Sequence, residues 1–413
     1  MIASSPQVGQ LLDVPVDLTL SALETMSPLE IATGFVTGRD ALAVPETSGG
    51  AARSGVRETL AQLLLPALTR SPCIIEFSGG RDSSLLLAVA IATARREGLA
   101  EPIAVTKRHP GLTETLEAEW QELVVRYLGV TDWVRLDFDS ELDAVGPVAQ
   151  RLLPLCGVVW PPMLWSMWPF LRLARGGSLV SGEGGDEMFG TRRPAPVAHL
   201  IYERHLKLST LKHSAIALAP RPARVVLLRR LYREQPPLPW LRPDASAMAN
   251  ELFLQQQLAE PLRWRASLFW QRSLRSEAMF VRNASRLAAA LEVERVVPFL
   301  DTSFLAALAK AGPFLGYSSR TAALRANFVG LLPDDVLSRR SKAFFNRAWF
   351  AQHTRDFASR WSGNGLDEQL VDPEALRAEW LRESPNALSV AALQAAWLAE
   401  AKTQEALKPA QTA

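Results

Sequence analysis

The feature that most restricts the fold of this chain is a strand–glycine–helix junction. Cys73-Ile74-Ile75-Glu76-Phe77 is a short, mostly apolar run that breaks at Ser78-Gly79-Gly80, and a longer run from Ser83 to about Glu97 stops at Gly98. The pattern predicts a strand, a tight turn and a buried helix. It then repeats. Pro102 to Thr106 reads as a second strand, Thr115 to Leu128 as a helix closed by Gly129, Asp132 to Phe138 as a third strand, and Ser178-Leu179-Val180-Ser181 as a short strand entering another glycine turn. Strands and helices alternating at this spacing predict an α/β fold with a parallel sheet and helices on both faces.

Three regions follow. Residues 1–70 read as a lead-in, with a Gly/Ala/Ser stretch at Ser48-Gly49-Gly50-Ala51-Ala52 and a helix from Val56 to Leu68. Residues 71–190 form a nucleotide-binding α/β core. Residues 191–413, where long helical patterns are punctuated by Pro194-Ala195-Pro196 and Pro236-Pro237-Leu238-Pro239, are expected to be mainly helical and to complete the site. A length of 413 residues has room for this, and 48% apolar with 21% charged residues excludes wholesale disorder. The net charge of +2 gives no general reason to expect nucleic acid or a membrane surface as partner. Cys73 and Cys156 are the two cysteines and sit in no metal-ligand spacing. With no basic n-region before Arg39 and no apolar run near the ~20 residues of a spanning helix, a cytoplasmic protein is expected. Arg192, Arg193, Arg204, Lys207, Lys212, Arg221, Arg224, Arg229, Arg230 and Arg233 are opposed in their stretch only by Glu203, a run expected to be mostly a solvated helical face.

Chemistry concentrates in the two glycine turns. In Ser78-Gly79-Gly80-Arg81-Asp82-Ser83-Ser84 the glycines let successive N–H groups converge on an anion, the helix N-terminus adds partial positive charge, and Ser78, Ser83 and Ser84 add hydroxyls. Phosphate is the natural guest. Asp82 would repel it unless a divalent cation lay between them, which points to Mg2+. A capping role explains Asp82 or Ser83 taken singly, but not two glycines and three hydroxyls together. The second turn, Ser181-Gly182-Glu183-Gly184-Gly185-Asp186-Glu187-Met188-Phe189-Gly190, again follows a strand, and Asp186 is a candidate second ligand of the same Mg2+.

The pair resembles the ATP-pyrophosphatase (PP-loop) superfamily, and more narrowly the synthetase domain of asparagine synthetase and its relative β-lactam synthetase. The Ser-Gly-Gly-x-Asp-Ser loop falls on Ser78 to Ser83, and Ser-Gly-Glu-Gly-x-Asp-Glu-x-Phe-Gly falls on Ser181 to Gly190 without a gap. Val297-Pro298-Phe299-Leu300-Asp301, then Leu332-Pro333 and Arg339-Arg340-Ser341-Lys342-Ala343-Phe344, are similar to further family stretches. The chain departs from the pattern in Thr191-Arg192, where the family continues with Gly-Tyr, and in Arg295, displaced by one position from the family arginine. The resemblance implies a Rossmann-like sheet and a ligase that uses ATP and Mg2+ to adenylate a carboxylate, release pyrophosphate and let an amine or ammonia displace AMP. It implies that Ser78, Gly79, Gly80, Ser83 and Ser84 cradle pyrophosphate, that Gly182, Glu183, Gly184 and Gly185 pass close to the nucleotide, and that Asp82 and Asp186 hold the metal. Lys342 would neutralise charge on the phosphates, and Glu294 would take the proton from the attacking amine.

The glutaminase domain of asparagine synthetases has no counterpart ahead of Ser78, so the nucleophile is expected to be free ammonia, a substrate amine, or ammonia from a separate amidotransferase. Lasso-peptide cyclases resemble the same domain, which makes a small-molecule or peptide carboxylate the expected substrate and a peptide-delivery protein a conceivable partner. A PP-loop tRNA-modifying enzyme and a non-catalytic nucleotide-binding subunit are the alternatives. Trp160-Pro161-Pro162 with Trp165 and Trp168 reads as packing ahead of a substrate wall, and Glu117 as a helix cap.

Overall fold

A computed structural model describes residues 8–15, 18–40, 54–112, 117–204, 207–233, 238–339 and 345–407. The Ser48–Ala52 stretch and Lys342 lie outside the described residues. Five parallel strands form one sheet: β1 (Cys73–Glu76), β2 (Ile103–Arg108), β3 (Trp133–Asp137), β4 (Ser178–Val180) and β5 (Glu294–Val296), in the order β3-β2-β1-β4-β5. The chain winds outward from β1 through β2 to β3 and then returns to lay β4 on the other side of β1. The order therefore reverses between β1 and β4, which is where an open parallel sheet leaves a crevice at its carboxyl edge. Register is fixed by Ile74 opposite Ile103 and Leu179, and by Ser178 opposite Glu294.

Because successive side chains point to opposite faces, neighbouring strand residues enter different cores. Ile75, Ala104 and Val180 pack with the helices Val56–Leu68, Arg81–Glu97 and Thr302–Ala311. Ile74, Val105 and Leu179 pack with Pro147–Cys156, Trp168–Leu173, Arg275–Ala289 and Val390–Leu407. With both faces covered, the strands read as short continuous apolar runs, as parallel strands do.

Two boundaries differ from the expected ones. Helix Val56–Leu68, expected as lead-in, contributes Leu60, Leu64 and Ala67 to the core against Arg81–Glu97. The sheet is also not complete at 190. After the helices Ala195–Tyr202, Leu208–Leu218, Arg221–Arg233, Pro243–Ala259, Trp264–Arg272 and Arg275–Ala289, the chain comes back as β5 beside β4. A three-residue strand after a long helical stretch has too little apolar periodicity to stand out in the sequence.

Candidate active site

The two glycine turns leave the tips of β1 and β4, which are adjacent strands, so the sequence-distant loops meet over the crevice. The first is closed on itself by its hydroxyls. Ser83 Oγ accepts from the Ser78 N–H (3.2 Å), lies 3.1 Å from Ser78 Oγ and donates to the Gly80 carbonyl (3.2 Å), and the Gly80 N–H donates to Ser78 Oγ (3.2 Å). Gly79 takes φ 82°, a left-handed conformation that side chains disfavour, and a β-carbon there would lie 2.7 Å from Gln121 Cγ. Helix Arg81–Glu97 starts directly after, and its first turn leaves backbone N–H groups without intrahelical acceptors. Ser84 sits differently from Ser78 and Ser83: it is fully buried and its hydroxyl has no hydrogen-bond partner, so the structure puts it inside the packed face of the helix, not on the cradle.

The second loop leans on the first. A β-carbon on Gly185 would overlap the Asp82 carboxyl group, and one on Gly182 would lie 3.2 Å from Ser83 N. Gly184 begins the short helix Gly185–Phe189, which presents Asp186. Asp82 and Asp186 are brought together: one guanidinium, Arg320, donates Nη2–H to Asp82 Oδ2 and Nη1–H to Asp186 Oδ1. Burial pushes the Asp82 carboxyl above its ordinary range against the pull of Arg320, and its Oδ1 is buried without a partner. Burial opposes the charge of Arg320, but the two carboxylates outweigh it and raise the guanidinium. Two carboxylates within the span of one cation, one of them with an orphaned oxygen, fit Mg2+, which takes one or two protein carboxylates and completes its shell with water and phosphate.

Glu183 points to the other side of the loop, where its Oε2 lies 3.4 Å from Arg295 Nη2. Arg295 is buried over the Phe280 ring (4.6 Å), with Nε and Nη1 unpartnered. Glu76 from β1 and Lys107 from β2 belong to the same group. Burial, then the Glu183 charge, pushes the Glu76 carboxyl up to about 8, and burial lowers Lys107, whose Nζ donates to the Ser166 carbonyl at 3.2 Å.

Glu294 is not brought to the crevice. It is the first residue of β5, level with Ser178 at the amino edge of the sheet, and pairs at 3.1 Å with Arg70, which also donates to the Gly176 and Glu292 carbonyls. Glu294 stands four positions ahead of Pro298, the spacing of the acid in the family pattern it resembles, but in a parallel strand the first residue lies at the end away from the ligand crevice. Glu117 is more than a cap: it is buried and doubly bonded by Arg339, which also donates to the Gly79 carbonyl at 3.0 Å. Arg320 and Glu76 carry no motif in the sequence, and a buried acid closing a strand that enters a glycine loop is the one local signal between them; Arg339 opens the family-like stretch in which only Lys342 is read as functional. Trp165 and Trp168 are core, as expected from packing, while Trp160 borders a cavity behind the second loop. Of the basic run, Lys207, Lys212, Arg221, Arg229 and Arg230 are exposed, but Arg192 and Arg224 turn inward.

A doubly wound parallel sheet with acidic glycine loops on two neighbouring strand tips at its switch point is a nucleotide-binding scaffold. The asparagine synthase family model matches residues 56–405, and the chain belongs to that family. No curated protein matches the chain. Membership makes it an ATP-dependent ligase of the amide-forming kind. No helix among the described residues is long and apolar enough to cross a membrane.

Proposed function

We propose that the protein adenylates a substrate carboxylate at the crevice between β1 and β4, releases pyrophosphate, and lets an amine or ammonia displace AMP to form an amide. The observation that carries this reading is the pairing of Asp82 with Asp186 across two glycine loops at one helix N-terminus.

The loop at Ser78, Gly79, Gly80 and Ser83 and the first-turn N–H groups of helix Arg81–Glu97 bind the departing pyrophosphate, where negative charge accumulates as the phosphoanhydride breaks. Gly182, Gly184 and Gly185 let the second loop approach the nucleotide. Asp82 and Asp186 would hold Mg2+, which screens the phosphate charge. Lys342, three positions after Arg339 in the sequence, supplies further positive charge. The proton lost by the amine passes to Glu183, which stands on the nucleotide loop itself, with Arg295 steadying the carboxylate. Glu294, at the opposite edge, has no part in the step.

The test is a screen of candidate acids, with and without amines, for substrate-dependent release of AMP and pyrophosphate from Mg·ATP. ADP and orthophosphate as products would overturn the reading.

A further inference from the structure

Behind the second glycine loop, one residue beyond Asp186, lies a cavity of about 560 Å3 to which Glu187 contributes a wall. Its size is that of a small-molecule site. Three side chains lining it are more than nine-tenths buried and keep a donor unused: Arg192 (5% exposed) and Arg224 (5%) each have an unpartnered Nε–H, and Trp270 (7%) an unpartnered indole N–H. Burial without a partner costs such groups about 1–3 kcal/mol each, so three around one cavity indicate an acceptor that belongs there. The remaining bonds of these arginines are structural. Arg192 reaches the Glu187 carbonyl and Gln271 Oε1, and Arg224 donates to the Gln257 carbonyl at 2.8 Å.

Of the other charged groups of the cavity, Glu187 supports the charge of Arg192, and the rest are engaged or muted. Arg193 spends its guanidinium on the Ala217 and Glu260 carbonyls, and Glu260 accepts from the Arg193 N–H and Ser267. Glu277 accepts from Gln271 at 3.0 Å, and burial, followed by the Glu187 charge, raises its carboxyl to about 7. His213 is exposed, and its Nδ1 lies 2.7 Å from the Ser209 carbonyl. The rest of the wall is apolar: Phe35 and Phe253 meet edge to face at 4.7 Å, beside Val36, Ile216, Leu228 and Leu274.

We propose that this cavity binds an organic acid with an apolar body, its carboxylate oxygens taking the free N–H groups of Arg192, Arg224 and Trp270 and its body lying among Phe35, Ile216 and Phe253. A carboxylate offers about four lone-pair sites, enough for three donors, whereas an amine would add donors to a site already rich in them. Binding stands independently of the ligase reading; only the use of the bound acid as substrate rests on it.

The test is calorimetric titration of the full chain, without nucleotide, with 3-phenylpropionate, its amide and 2-phenylethylamine. The acid is expected to bind at least tenfold more tightly than the amide or the amine. Arg224→Gln, which removes a donor, and Ile216→Trp, which fills the cavity, should each weaken it at least tenfold with Mg·ATP affinity unchanged. Preference for the amine, absence of acid binding in a chain that binds Mg·ATP, or acid binding indifferent to both variants would overturn the proposal. Two sources share this chemistry, and a second arm separates them: release of pyrophosphate from Mg·ATP on adding the acid identifies a substrate, and binding without release identifies an effector. Failure to bind Mg·ATP with acid binding intact would sink the ligase reading and leave this one standing.

Discussion

An enclosed carboxylate with one oxygen unpartnered is an unfavourable arrangement unless something else completes it, and Asp82 is in that position beside Asp186 and Arg320. Asp186 offers the cleaner variant, because its side chain is 47% exposed and can change without a packing penalty. Asp186→Asn should raise the Mg2+ concentration needed for ATP binding by at least tenfold, about 1.4 kcal/mol, with the melting temperature nearly unchanged; a magnesium titration of nucleotide binding reads this directly. Glu76 makes a different prediction. Its folded pKa, about 8, lies above the unfolded value, so the fold prefers it protonated. The resulting penalty is absent below the unfolded carboxylate range, grows as pH rises through that range, and is complete above about 8. Glu76→Gln should therefore gain stability over the parent at pH 9 relative to pH 5, on the order of 1–3 kcal/mol, in denaturant melts at the two pH values. An equal difference at both would show that Glu76 is ionised throughout.

At the scale of elements, the work is done by two loops whose backbones come within contact of each other. Gly185 faces the Asp82 carboxyl with no room for a methyl group. Gly185→Ala should separate the loops and reduce ATP-dependent turnover at least a hundredfold, while far-UV circular dichroism, dominated by distant helices, stays as in the parent. This part of the site was legible in the sequence because its determinants are local: glycines, hydroxyls and an acid within a few residues of a strand end. Glu183 and Asp186 were legible for the same reason. The roles of Arg320 and Arg339 were not, because they reach the first loop across 238 residues to Asp82 and 260 to Gly79; Arg320 has no local signature, and the family-like stretch that Arg339 opens draws attention to Lys342 instead. The misplacement of Glu294 has another cause. Spacing to a proline says nothing about which end of a strand a residue occupies, whereas the parallel direction of β5 does.

At the scale of the molecule, a buried ion pair helps to tie the carboxyl-terminal half to the first nucleotide loop. Arg339 stacks over Trp120 (4.9 Å), is doubly bonded to Glu117 and donates to the Gly79 carbonyl, so two distant stretches of chain converge on the first glycine turn. Both partners are nearly inaccessible, with side chains 4% and 7% exposed, and removing one takes from the other its doubly bonded counter-charge in the interior. Losing one member of such a pair typically costs about 3–5 kcal/mol, while replacing both with neutral side chains of similar size costs much less. Arg339→Met should thus lower the melting temperature sharply, and Glu117→Gln with Arg339→Met should restore most of it. Affinity for ATP should not follow stability, because the bond from Arg339 to the Gly79 carbonyl is missing in both variants and the turn loses its anchor either way. The double variant is expected to melt near the parent temperature yet bind Mg·ATP at least fivefold more weakly. Recovery of both properties together would mean that the pair serves folding alone and that the first loop holds its shape without help from the far half of the chain.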